Sequence, residues 1–156
     1  MTYQPRGVVN DLNQAYREFQ SVQNTLRIEP WNLVGSTHKT KFSNGFVNWN
    51  SGTNRTAAGY RQDGMGRVYL KGFVTKGSSP GVGVDIFFLP QAYRPVKDIG
   101  FICLASDGST TGPVRIEIRA NDGGVEFLED LSLTWNTTEN TSWLELTNIK
   151  FFTDPD

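Results

Sequence analysis

Histidine and cysteine are nearly absent: the 156 residues hold one of each, His38 and Cys103. That is too few for a His/Cys metal site, so no metal and no cofactor are expected. A cysteine nucleophile needs a histidine partner. His38 stands apart in the polar run Ser36-Thr37-His38-Lys39-Thr40-Lys41, which reads as an exposed loop or edge strand. Cys103 lies in the apolar run Phe101-Ile102-Cys103-Leu104-Ala105 and reads as a small buried hydrophobe. An excess of one charge is missing too. Fifteen Lys and Arg against 16 Asp and Glu leave a net charge of −1, which argues against a nucleic-acid surface with its basic excess or stripe. No run approaches the roughly 18 apolar residues of a membrane span, so no membrane insertion is expected. The N-terminus has no apolar h-region, and no secretory leader is expected. Without one, the Asn-x-Ser/Thr sequons at Asn54, Asn136 and Asn140 mark only polar loops. Internal repeats and low-complexity tracts are absent.

What the chain does have is turn formers, with 16 Gly and seven Pro. They separate short β-like runs, and one helix precedes them. Val8, Leu12, Ala15, Phe19, Val22 and Leu26 recur at spacings 4, 3, 4, 3, 4. That is a heptad seam, and it predicts a helix over 8–27, stopped by Pro30. Two arrangements are open: the helix packs on its own β domain, or it joins several chains as a short coiled coil. The narrow stripe favours the second, since a helix lying on a sheet needs a wider apolar face. Residues 1–30 thus form an N-terminal helix for oligomerisation or docking, and 31–156 a β domain.

Strands are expected near 31–34, over 42–49 with a bulge at Gly45, and over 57–61, 67–75, 84–89, 99–105, 113–120, 124–129, 131–133 and 143–152. In 113–120, Val114, Ile116, Ile118 and Ala120 face in, while Arg115, Glu117 and Arg119 face out. Asn121-Asp122-Gly123-Gly124 signals a hairpin. In the last strand, a bulge near Thr147 brings Leu144, Leu146, Ile149 and Phe151 all inside. This spacing, with no second helix, implies a mainly β fold: an antiparallel β-sandwich, jelly-roll-like, with one N-terminal α-helix.

The most informative stretch runs from Gly59 to Pro95. Asp63-Gly64-Met65-Gly66 turns into Arg67-Val68-Tyr69-Leu70-Lys71-Gly72-Phe73-Val74-Thr75, apolar on both faces and therefore central. Ile86-Phe87-Phe88-Leu89-Pro90-Gln91-Ala92-Tyr93-Arg94-Pro95 follows, a strand ended by a proline corner. Together these runs resemble the domain at the end of phage tail-fibre, baseplate and minor structural proteins, and that family resembles the sandwich domains of siphophage receptor-binding proteins. The resemblance covers roughly residues 42–130. It departs at Ala92, where the family usually has Gly, which puts the backbone of that turn in question. It implies a virion protein at the tail tip or baseplate, made in the host cytoplasm, trimeric, in contact with other tail proteins, and without a catalytic motif.

Hydrolysis of a polysaccharide needs two carboxylates across a cleft. The candidates Asp107, Asp122, Glu126, Glu129 and Asp130 sit in or beside turns, where Asp is favoured for local reasons. The Asp-Gly turns at 63, 107 and 122 lack the alternating ligands of a calcium loop. Gly64-Met65-Gly66 leads into a strand, so no helix dipole faces an anion. Saccharide binding is the chemistry best supplied: Trp135, Asn136 and Trp143 frame a polar loop, and Asp122 adds a hydroxyl acceptor. Trp135 and Trp143 are equally able to plug the end of the core. The expected function is host-surface attachment, with binding of cell-wall saccharide. The alternatives are a purely structural baseplate subunit and a small polysaccharide depolymerase; an enzyme is not expected.

Overall fold

The computed structural model describes residues 6–35, 37–49, 55–76, 81, 83–130 and 142–153. The seam forms a helix, α1 (Arg6–Leu26). Eleven strands follow: β1 (Asn32–Leu33), β2 (Phe46–Asn48), β3 (Gly59–Gln62), β4 (Arg67–Lys71), β5 (Phe73–Lys76), β6 (Val84–Phe88), β7 (Ile99–Ser106), β8 (Thr111–Ile118), β9 (Gly124–Asp130), β10 (Trp143–Glu145) and β11 (Lys150–Phe152). They build two antiparallel sheets, ordered β1-β3-β4-β11 and β2-β5-β10-β7-β8-β9-β6. The fold is therefore the expected antiparallel β architecture with a single N-terminal helix. The larger sheet is nearly closed. Phe42, just ahead of β2, bridges to Phe87 on the opposite edge strand, and Ser43 N–H donates to Ile86 O at 2.8 Å.

One core lies between the sheets. Tyr60, Val68, Leu70 and Phe151 reach it from the small sheet. Val74, Ile86, Phe87, Ala105, Val114, Ile116, Ile118, Val125 and Leu144 reach it from the large one. A register shift between Asp85 and Phe87 turns both Ile86 and Phe87 inward. Cys103 is buried among these side chains, and burial pushes its thiol up to about 12.

Two expected strands are each divided between the sheets. The run 67–75 breaks at Gly72: β4 pairs with β3 and β11, while β5 pairs with β2 and β10. The run 143–152 breaks likewise at a turn after Leu146, so β10 belongs to the large sheet and β11 to the small one. Leu144, Leu146, Ile149 and Phe151 are all buried, through this change of sheet rather than through a bulge. The two crossings are stitched together, with Leu146 N–H donating to Gly72 O at 2.9 Å and Leu70 N–H to Ile149 O at 3.0 Å. Such corners, where strands switch sheets, let two sheets share one core. At Asn44-Gly45 the expected bulge is a tight turn with φ of 51° and 78°. Ala92 lies in a 3-10 turn, Gln91–Tyr93, with ordinary negative φ, so the departure from glycine there carries no strain. Residues 131–133, expected as a strand, lie outside the described residues.

The described side chains of the helix seam are not covered by the sandwich. Leu12, Phe19 and Val22 are 66%, 56% and 56% exposed, and Ala15 is exposed as well. The side chains of Val8 and Leu26 lie outside the described set. The chain after α1 is fastened to the sandwich by Glu29. Its N–H donates to Gln62 O, its Oε1 accepts Gln62 N–H at 2.7 Å, and its Oε2 accepts the Tyr93 hydroxyl at 3.1 Å.

Candidate functional site

Of the residues expected to touch saccharide, Trp135 and Asn136 lie outside the described residues. Trp143, on β10, is half-buried in an aromatic cluster. Its ring centroid is 5.8 Å from that of Trp49 and 5.5 Å from that of Phe73, and the Arg55 guanidinium stands 4.9 Å from Trp49 and 5.0 Å from Phe73. Asp122 sits in the β8–β9 hairpin. Strand register separates the two residues: Trp143 pairs with Ser106 at one end of β7, while Asp122 lies beyond Ile118, which pairs with Ile99 at the other. Those ends are about 23 Å apart along the strand.

Asp122 is committed to Arg119. Arg119 Nε and Nη2 donate to its two oxygens at 3.0 and 2.8 Å, and Asp122 Oδ1 also accepts Gly124 N–H at 2.9 Å. Arg119 reaches Glu126 as well, and Asp85 at 2.9 Å in poor hydrogen-bond alignment. The expectation that Arg119 faces solvent is therefore corrected. It is half-buried because the tight Asn121–Gly124 turn folds its guanidinium back over Gly124, toward three carboxylates. The bidentate bond holds Asp122 below its usual pKa, against a smaller effect of burial. Asp85 moves the other way, because burial outweighs the guanidinium it shares with Glu126 and Asp122. Ala120, expected to face in, lies past the end of β8 and is half-buried, its N–H bonded to Asp98.

The remaining turn carboxylates are similarly occupied. Asp107 Oδ1 accepts from Ser109 N, Ser109 Oγ and Thr110 N, and the two backbone bonds lower its pKa. Asp63 Oδ1 accepts Met65 N and Arg67 N, and its Oδ2 accepts the Tyr69 hydroxyl at 2.9 Å. Burial opposes ionisation of Asp63, and these three bonds outweigh it. In the proline corner, Arg94 donates to Leu89 O at 3.0 Å and Asn121 O at 2.9 Å, pinning corner to hairpin.

Two depressions open beside this corner. A cleft of about 300 Å³ is lined by Trp31, Asn32, Leu33, His38, Thr40 and Tyr60 among others. A neighbouring recess of about 410 Å³ runs from Lys39 and Lys41 past Phe42 to Phe88, Leu89 and Arg94. The cleft opens at the edge of the small sheet's outer face, which carries cations and aromatic rings. The Arg61 guanidinium is 4.3 Å from the Trp31 ring centroid, Lys71 Nζ is 4.5 Å from the same ring, and Arg67 stands 4.7 Å from Phe152. Sequence reading does not find this face, because strand pairing assembles it from residues more than a hundred positions apart.

No family model matches the chain, and no curated protein matches it. Among solved structures it is similar to the crystal structure of the receptor binding protein gp15 of Listeria phage PSA. The TM-score is 0.66 at 14% identity, over 99% of this chain and 82% of that one. The chain has the fold of a phage receptor-binding protein. The likeness covers α1 as well as the sandwich. At this identity the surface chemistry is the chain's own. No helix among the described residues is long and apolar enough to cross a membrane.

Proposed function

We propose that this chain is a non-enzymatic virion protein, placed at a phage tail tip or baseplate, that takes part in attachment to the host surface. The observation that carries the reading is the full-length likeness to a phage receptor-binding protein. The seam of α1 joins three copies as a short parallel coiled coil, and the sandwiches then face the host together. The exposure of Leu12, Ala15, Phe19 and Val22 supports this, because an apolar stripe with no cover in its own chain is relieved by a second copy. Cell-wall saccharide is the ligand class, with Trp135, Asn136 and Trp143 as the residues that meet it; Asp122 serves the hairpin first. A non-enzymatic role agrees with the carboxylates of Asp107, Asp122 and Glu126, each already engaged.

The test is solution mass by light scattering, coupled to binding of the labelled chain to a panel of bacterial strains. A trimeric mass that falls to a monomer in Phe19→Glu, with binding to some strains and not others, is the expected result. A monomeric wild type removes the coiled coil. The second reading, a purely structural tail subunit, has one observation in its favour: Ile102 and Leu104 are 62% and 48% exposed side by side on the outer face of β7. It predicts the same trimer with no strain bound.

A further inference from the structure

The small sheet's outer face is distinctive in charge. Alternation along β3, β4 and β11 sends Tyr60, Val68, Leu70 and Phe151 into the core, and Arg61, Arg67, Tyr69, Lys71, Lys150 and Phe152 outward. Register sets them in rows. Tyr69 lies opposite both Arg61 and Lys150, so its strand position stands between those of two cationic residues whose backbones are about 10 Å apart. Phe152 lies opposite Arg67, and Trp31 precedes the Asn32–Tyr60 pair beside Arg61.

Among the described residues none of these four cations makes an ion pair, although Arg67 lies near enough to Asp63 to favour its ionised form. Every ion pair among the described residues runs to Arg119, on the other sheet. The one acid in this face's turn, Asp63, is committed to Met65 N, Arg67 N and the Tyr69 hydroxyl. Arg61 Nε is buried with no acceptor. Burial and, after it, the charge of Arg61 lower the pKa of Lys71. A chain of net charge −1 thus gathers on one small sheet four cations that make no ion pair among the described residues, three of them held against rings. Cations held this way lose little freedom on meeting an anion, and the guanidinium fork suits carboxylate and phosphate.

We propose that the face formed by Arg61, Arg67, Lys71 and Lys150 among Trp31, Tyr69 and Phe152 binds an acidic polysaccharide, a sugar polymer bearing carboxylate or phosphodiester groups. The choice of a polysaccharide rests on the attachment reading above, and the rings weigh against a single-stranded nucleic acid. Each of the three already carries a cation, so none is an open platform for stacking a base.

The experiment measures binding of the full-length chain to immobilised polygalacturonate, to phosphomannan, to uncharged dextran and to single-stranded oligothymidylate, at low and high salt. Binding to one or both acidic polysaccharides, weakened by salt and absent on dextran, is expected; which polymer binds identifies the anionic group. Arg61→Gln with Lys71→Gln should weaken it by about tenfold or more. Exposed Lys150→Gln should weaken it without disturbing the fold. Arg115→Gln, which removes the same charge from the other sheet, should leave it unchanged. No binding to either acidic polymer, equal loss in Arg115→Gln, or tighter binding to oligothymidylate overturns the proposal. Strain binding that survives Arg61→Gln/Lys71→Gln overturns the proposal and leaves attachment standing. Polymer binding with no strain bound sinks the attachment reading alone.

Discussion

Gly72 sits where the chain passes from one sheet to the other. Its φ is +100°, where side chains are rarely tolerated. A Cβ there would stand 2.5 Å from the backbone of Ala57 and Ala58. The crossing of β4 into β5 therefore passes the segment leading into β3 at backbone distance, and only glycine fits. Gly72→Ala should destabilise the protein by about 3 kcal/mol or more, combining positive-φ strain with displaced backbone. Urea unfolding measures this, and a loss below about 0.5 kcal/mol, the range of a neutral surface change, would show the crossing to be loose. The sequence pattern hides this role: Val68, Leu70 and Val74 keep one parity across Gly72, so the run reads as one strand even though its partners change. Arg119 is hidden in the same way, since alternation sends it outward and a tight turn folds its guanidinium back.

At the scale of elements, local repetition is legible and long-range partnership is not. The 4, 3, 4, 3, 4 spacing alone predicts α1 to within two residues, and the Asn121–Gly124 turn predicts the β8–β9 hairpin. The division of 143–152 into β10 and β11 follows from partners in two different sheets, which no neighbouring residue announces. The junction after α1 shows the same limit. A boundary at 30/31 looks natural beside Pro30, yet Glu29 is bonded to Gln62 and Tyr93 across the small sheet. A chain beginning at Arg27 should unfold at the same urea concentration as the Phe19→Glu monomer, because the described seam side chains are exposed. A chain beginning at Trp31 should lose about 1–3 kcal/mol, since Gln62 N–H and the Tyr93 hydroxyl lose a charged acceptor. Equal stability of the two truncations would mean that water replaces Glu29 without cost.

For the whole molecule, composition and turn spacing carry the fold class, but net charge conceals how charge is distributed. A balance near zero argues against a nucleic-acid surface, yet the fold separates a cationic face, without ion pairs among the described residues, from an acidic cluster gathered on Arg119. If α1 joins three copies, three such faces meet a polymeric surface together. One face bearing four cations suits weak binding, with a dissociation constant of about 1 mM. Tethering turns the second and third contacts into intramolecular events and strengthens overall binding by about 10²–10⁴-fold. The full chain should therefore bind strain surfaces at least about 100-fold more tightly than Phe19→Glu. Both should bind a short soluble acidic oligosaccharide equally, since each face is intact. Titration of labelled protein on cells, beside calorimetry with the oligosaccharide, separates the two quantities. A deficit in both assays would mean that the helix shapes the face itself, and equality in both would mean that only one copy engages at a time.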